Sequence, residues 1–168
     1  MRTYKIKEIS EKIFSGGTPS TNKEEYWDGD INWLSSGETR NSYICNTDRK
    51  ITNLGVLNSS TKLANANDIV IASAGQGFTR GQTSFLKIDT YINQSIIAIK
   101  INNKICLPKY MFYNLSTRYD ELRLLSDSSS TRGSITTKMI GDLEIILPSL
   151  DVQQHIVNTI SSLLLKSF

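Results

Sequence analysis

Asp68-Ile69-Val70-Ile71-Ala72-Ser73 and Gln94-Ser95-Ile96-Ile97-Ala98-Ile99-Lys100-Ile101 are the stretches that decide the fold. Both are of strand length and rich in β-branched side chains, which suit a pleated surface and lose χ1 freedom in a helix. Thr83 to Ile88 reads as a strand between them, so a largely antiparallel sheet is expected here. Downstream, Pro108 suits the first turn of a helix, and Phe112, Leu115, Tyr119 and Leu122 mark an apolar stripe out to about Leu125. After a polar loop from Ser126 to Thr137, Asp142-Leu143-Glu144-Ile145-Ile146-Leu147 alternates like a strand and stops at Pro148. From Asp151 to about Lys166, Val152, Ile156, Thr159 and Leu163 form one helical stripe and Val157, Ile160 and Leu164 a second. So wide an apolar face calls for a partner.

Upstream, Ile6, Ile9 and Ile13 stand at helical spacing before Gly16-Gly17-Thr18-Pro19-Ser20, which predicts a short amphipathic helix and a turn. Tyr26-Trp27-Asp28-Gly29-Asp30-Ile31-Asn32-Trp33-Leu34 reads as an Asp-Gly turn leading into a brief strand, with Tyr26, Trp27 and Trp33 as core anchors. Lys50 to Leu57 reads as one short helix. The expected class is α+β: a mixed, largely antiparallel, β-rich domain with flanking helices and a C-terminal helix.

A chain of 168 residues is the size of one domain with one core. Its 39% hydrophobic and 21% charged residues argue against disorder. No apolar run approaches the ~20 residues that cross a bilayer, and the first residues lead into charge rather than a signal-peptide core, so a cytoplasmic, membrane-free protein is expected. Cys45 and Cys106 lack CxxC partners and frame neither a zinc site nor a disulfide scaffold; both are expected as reduced core residues. The net charge of +3 does not by itself indicate nucleic-acid binding. Its distribution says more, because Ser73–Ile88 and Ser128–Gly141 contain no acidic residue while holding Arg80, Lys87, Arg132 and Lys138.

The catalytic motifs fail one by one. Gly75-Gln76-Gly77-Phe78-Thr79-Arg80-Gly81-Gln82-Thr83 follows a strand as a phosphate loop would. However, Gly77 and Gly81 enclose three residues instead of four, Gln82 stands where a Walker lysine belongs, and Arg80 replaces the third glycine of a dinucleotide fingerprint. His155, the single histidine, has no hydrolase motif around it, and Cys106 with His155 carries no local nucleophile signature. Glu24, Glu25, Asp28 and Asp30 lack the lysine of a metal-dependent nuclease site and read as solvated surface.

Three polar loops remain: Ser35 to Ser42, Gly75 to Ser84, and Ser128 to Ser134, each with an arginine among glycines and small hydroxyl residues. Hydroxyls and backbone N–H groups donate to phosphates, glycine permits close approach, and Arg or Gln pairs bidentately with base edges. Taken singly, any one of these loops reads more simply as a turn with its arginine in water. Read as a DNA surface, they put forward Arg40, Gln76, Thr79, Arg80, Gln82 and Arg132, with Lys87 and Lys138 as phosphate contacts.

The succession Ser15-Gly16-Gly17-Thr18-Pro19-Ser20, Tyr26-Trp27-Asp28-Gly29-Asp30-Ile31-Asn32-Trp33, Ile51-Thr52, Gly133-Ser134 and Ile146-Leu147-Pro148-Ser149-Leu150 through Gln153 and Ile156 resembles the specificity subunit of type I restriction-modification enzymes. The likeness runs from about residue 4 to residue 160; Val152 departs from it by standing where an acidic residue is usual. The resemblance implies a DNA target recognition domain over residues 1–150 and the start of a conserved spacer or dimerisation helix over 151–168. It also implies a non-catalytic chain whose partners are double-stranded DNA, a methyltransferase (modification) subunit and a restriction subunit. The chain would hold no cofactor, since S-adenosylmethionine, ATP and Mg would be bound by those partner subunits. Val152, Ile156, Ile160, Leu163 and Leu164 would form an interface. With one recognition domain instead of two, the chain could pair with a copy of itself and read a symmetric split site, or be a truncated form. A module that docks on a methyltransferase without reading DNA is the alternative.

Overall fold

The computed structural model describes residues 1–127 and 133–167. In chain order the elements are β1 (Arg2–Lys5), β2 (Ser10–Ser15), β3 (Trp27–Leu34), β4 (Tyr43–Ile44), β5 (Arg49–Ile51), α1 (Asn53–Leu57), β6 (Lys62–Ala64), β7 (Ile69–Ala72), β8 (Thr83–Leu86), β9 (Thr90–Ile92) and β10 (Ile96–Ile101). There follow α2 (Pro108–Ser116), α3 (Tyr119–Asp127), α4 (Thr137–Asp142), β11 (Glu144–Leu147) and α5 (Leu150–Lys166). The strands form a five-stranded sheet of order β2-β10-β7-β8-β4, a four-stranded sheet β5-β3-β9-β6 and the pair β1-β11. Among the described residues β3–β9 and β4–β8 pair parallel and the other pairings are antiparallel. The class is α+β with antiparallel-rich sheets and a C-terminal helix.

The two β-branched runs become β7 and β10, paired in register from Ile69 opposite Ile99 to Ala72 opposite Ile96. They read as continuous apolar runs because both faces of this sheet are covered. Ile69, Ile71, Ile97, Ile99 and Ile101 point into a core that also holds Met111, Phe112, Leu115 and Leu122 of the helices. Val70, Ile96 and Ala98 point the other way, into a second core with Phe14, Leu34, Leu86 and Ile92. Asp68, at the entrance of β7, is buried; burial pushes its carboxyl above the ordinary range, and Lys100 lies 3.2 Å away as its counter-charge.

The glycine-proline and tryptophan motifs lock together. Trp33 Nε1 donates to the carbonyl of Gly17 at 3.1 Å, and Trp27 Nε1 to that of Ser20 at 3.0 Å. The two indoles stand edge to face, 5.1 Å between centroids, as expected of core anchors. A Cβ on Gly16 would overlap the carbonyl oxygen of Ile92, and one on Gly17 the hydroxyl of Ser60, so this strap passes only if both are glycine.

Several local expectations are overturned by tertiary pairing. The helix expected at Ile6–Ile13 is instead β1, a 3₁₀ turn at Ile6–Ile9 and β2, because β11 and β10 offer strand partners. Ile6 and Ile9 are still core residues. The Asp-Gly turn is a bulge inside one strand: Trp27 and Ile31 both face Ile51, with Asp28 at φ 61°. Lys50–Leu57 is not one helix, since Ile51 pairs with β3 and Thr52 then caps α1 through the Gly55 N–H. The long stripe from Pro108 breaks at Thr117, where the hydroxyls of Ser116 and Thr117 bond back to the carbonyls of Phe112 and Asn114. The polar loop ends early in α4, capped by Thr136, so the following strand begins at Glu144. Cys106 is in the core, its thiol pushed up to about 12 by burial, whereas Cys45 follows the end of β4 and is exposed.

Helix α5 is anchored by a glutamine. Gln153 is fully buried; its Oε1 accepts from the Leu107 N–H at 2.9 Å, and its Nε2 donates to the carbonyls of Pro148 at 3.0 Å and Ile105 at 3.2 Å. This explains why the motif after Leu147-Pro148 carries glutamine three residues beyond Leu150. Replacing Gln153 with Ala leaves a buried N–H and two carbonyls without partners, which costs about 1–3 kcal/mol. Urea unfolding of Q153A should show a lower midpoint with an unchanged slope; an unchanged midpoint contradicts the anchoring role.

Candidate nucleic-acid interface

The first two polar loops and the described residues flanking the third are distant in sequence and adjacent in space. The first contains the 3₁₀ turn Ser36–Arg40. Its buried Glu38 accepts from the N–H and hydroxyl of Ser35, at 2.8 and 2.9 Å, and from the Asp48 N–H at 2.8 Å. One carboxylate thus fixes both the start of the turn and the segment beyond β4. The second loop joins β7 to β8. Thr39 of the first loop donates to Gln82 Oε1 of the second at 3.2 Å, and the Ser84 hydroxyl bonds to the carbonyls of Asn41 at 2.6 Å and Thr39 at 3.2 Å.

The residues on either side of the third loop approach from the other flank. The Ile135 N–H donates to the Ser73 carbonyl at 2.8 Å. Arg80 Nη1 donates to Asp127 at 2.9 Å and to the Ser126 hydroxyl, and only 13% of the Arg80 side chain stays open. Helix α3 holds the second loop from behind: Tyr119 Oη donates to the Phe78 carbonyl at 2.8 Å, and Arg123 Nη1 to the Arg80 carbonyl at 2.7 Å. The first two loops thus share an edge, tied to the body of the domain and to the end of α3 by side chains that face inward.

The candidate residues divide accordingly. Arg40 and Gln76 are exposed on the loops, Arg40 with one nitrogen on the Gly37 carbonyl at 2.9 Å. Thr79, Arg80 and Gln82 are half-buried within the cluster. Lys87 is exposed past the end of β8, its ammonium 5.6 Å from the ring centroids of Tyr43 and Phe85. Lys138 lies elsewhere, on α4 beside Lys7, and both lysines bond Asp142, at 2.5 and 2.9 Å. Those two bonds hold the Asp142 carboxyl down at about 2. Arg132 lies outside the described residues, as does most of the Ser128–Ser134 loop.

The sequence did not point to Glu38, Tyr119, Arg123 or Lys109. Lys109 Nζ donates to the Tyr43 hydroxyl at 3.0 Å and lies 4.5 Å from the centroid of the ring that Lys87 also approaches. Burial pushes the Tyr43 phenol above its ordinary value. Only the spacing Glu38 to Ser35, a capping box, was a readable signal among these. No cluster of metal-ligating side chains occurs among the described residues, and no described helix is long and apolar enough to cross a membrane.

On α5 the inner face is docked by Gln153, by Val157, and by Ser161 against the Tyr113 hydroxyl at 2.9 Å. Ile156 and Ile160 are half-buried. Val152, Leu163, Leu164 and Leu165 remain exposed.

This architecture is that of a type I restriction-modification specificity subunit. The S subunit from Thermoanaerobacter tengcongensis (HsdS) superposes with a TM-score of 0.72 at 18% identity, covering 98% of this chain and 37% of that one. The S subunit from M. genitalium gives 0.67 at 14% identity, covering 98% and 40%. The sequence agrees: the model of the type I restriction modification DNA specificity domain matches residues 1–167, and the chain belongs to that family. It is 34% identical over 149 residues to the specificity subunit of the type I restriction enzyme EcoR124I/EcoR124II from Escherichia coli, covering 87% of this chain. It is 29% identical over 161 residues to the MjaIX specificity subunit from Methanocaldococcus jannaschii, covering 94%. The chain spans 37% and 36% of the length of these two relatives.

The clamp on the second loop makes a prediction. Arg123→Ala should accelerate amide hydrogen exchange across residues 75–82 while lowering global stability by about 1 kcal/mol. Exchange in that segment equal to the unmodified protein contradicts the role given to α3.

Proposed function

We propose that this chain reads a short sequence in double-stranded DNA through the polar loops Ser35–Ser42, Gly75–Ser84 and Ser128–Ser134, on behalf of methyltransferase and restriction subunits. The observation that carries this reading is the division of labour in the loops. Glu38, Arg80, Gln82 and Arg123 bind protein and fix the backbone, while Gln76 and Lys87 are exposed and Arg40, bonded to the Gly37 carbonyl, keeps its outer part exposed. Sites that discriminate between ligands need such prior fixing, since each contact then costs less ordering entropy.

Within this reading Gln76 and Arg40 contact base edges or phosphates, Lys87 contacts phosphate, and Thr79, Arg80 and Gln82 shape the loop or reach the duplex from it. Arg132 is put forward for the same role, whereas Lys138 is engaged by Asp142 on α4, away from the first two loops. Residues 1–150 act as the recognition domain, and 151–168 begin the spacer helix. The chain supplies no catalytic group and no cofactor; S-adenosylmethionine, ATP and Mg belong to its partners.

Selection of the protein, alone and with its methyltransferase subunit, against a random duplex library tests this. Enrichment of a defined motif is expected, two-fold symmetric and split for a dimer or a half-motif for one domain; no enrichment under either condition overturns it. On the selected site Gln76→Ala should relax one position by about 1–3 kcal/mol if it reads a base. Lys87→Ala should weaken all sequences alike and lower the salt slope by about 1.

The exposed Val152, Leu163 and Leu164 support a second reading, a docking module that reads no DNA. Size-exclusion with and without residues 158–168 separates it from the first only together with the selection: a change of oligomeric state without enrichment favours docking.

A further inference from the structure

Phe78 stands at the tip of the β7–β8 loop with 82% of its surface exposed. It belongs to none of the hydrophobic cores and makes no ring contact with a described residue. An exposed phenylalanine on a slack loop would call for little comment, but this loop is not slack. The Phe78 carbonyl is held by Tyr119, the next-but-one carbonyl by Arg123, and the Arg80 guanidinium by Ser126 and Asp127. Within the loop the Thr79 N–H donates to the Gln76 carbonyl, the Gln82 N–H to Thr79 and the Gly81 N–H to Ala72. Inward-facing polar groups therefore fix the backbone while the ring points to water.

The neighbours of Phe78 leave room for depth. Gly77 has φ 61° and nothing within 4 Å of where a Cβ would be. Thr79 on the other side is short. A ring flanked by small residues, carried on a braced loop and open on both faces, fits a slot with two apolar walls. One face packed on protein would suffice for touching a thymine methyl at a groove edge; two open faces match the gap between adjacent base pairs.

We infer that Phe78 is an apolar wedge that inserts between two base pairs of the DNA site, making the stacking energy of that step part of what the domain reads. The inference rests on the DNA-reading function proposed above. Pyrimidine–purine steps unstack most readily, so the wedge favours TA or CA/TG at its point of entry and contributes specificity without a hydrogen bond to a base. Gln76, exposed two residues away, is placed to contact an edge of a neighbouring pair.

The test uses the chain in complex with its methyltransferase subunit and the duplex motif obtained by selection, with 2-aminopurine replacing each adenine in turn. Binding of the unmodified protein should raise fluorescence at one step, a pyrimidine–purine step. Phe78→Ala should abolish that rise and weaken binding roughly tenfold, as loss of an aromatic stack does. Phe78→Leu should restore most of both. Because the ring is outside the cores, the unfolding midpoint of F78A should equal that of the parent.

Tight binding by the parent with unchanged affinity and fluorescence in F78A overturns the wedge and leaves the DNA-reading function intact. Weaker binding by F78A with no fluorescence rise in the parent also overturns it, in favour of an edge contact. Weaker association of F78A with the methyltransferase subunit in the absence of DNA overturns it in favour of a protein contact. Failure of the parent to bind any duplex overturns both readings.

Discussion

The pairing of β7 between β10 and β8 is the constraint on which the rest of the domain hangs. All four residues, Ile69–Ala72, are buried, with Ile69 and Ile71 in one core and Val70 in the other. Such a strand has no tolerance for register error: a slip of one residue would send Ile69 and Ile71 into the space shaped for Val70. Fixing β7 fixes both ends of the β7–β8 connection, and therefore the base of the loop that carries Gln76, Phe78 and Arg80. Precision at the loop edge is thus inherited from the most deeply buried part of the sheet.

A second layer of order is polar. Backbone carbonyls at a loop tip ordinarily bond to water, yet those of Phe78 and Arg80 are taken by α3, and the turn Ser36–Arg40 is closed on the buried Glu38. These bonds contribute little net stability apiece. Their effect is to remove alternative loop conformations, which matters more for discrimination than for folding. The same logic holds at the other end of the chain, where Gln153 satisfies three backbone groups and sets the exit direction of α5.

How much of this was legible in the sequence follows from the range of each interaction. The strands β7 and β10, the start of α2 at Pro108 and the helix α5 were readable because β-branched composition, proline position and 3.6-residue periodicity are local signals. The tryptophan anchors were readable as core, though their tie to Gly17 and Ser20 was not. Ile6, Ile9 and Ile13 misled because a helical period also arises when a 3₁₀ turn buries the isoleucines at its two ends and the strand after it half-buries a third. The break at Thr117 was masked by a stripe that continues in phase across it. The three loops were recognisable by composition, whereas the meeting of the first with the second, and of the second with the end of α3, depends on pairs such as Thr39 with Gln82 and Arg80 with Asp127, which no local pattern encodes. Phe78 was hidden for a simpler reason: sequence shows that a residue is aromatic, and only structure shows that it is left outside.

In the function proposed for this chain the polar loops face DNA and α5 faces the methyltransferase subunit. Hydrogen–deuterium exchange of the chain bound to its methyltransferase subunit, measured with and without the selected duplex, addresses it most directly. The account predicts that duplex adds protection at residues 36–42 and 75–82 and leaves 150–166 as the subunit alone had left it. Protection by duplex confined to 150–166, with the loops unchanged, would contradict it.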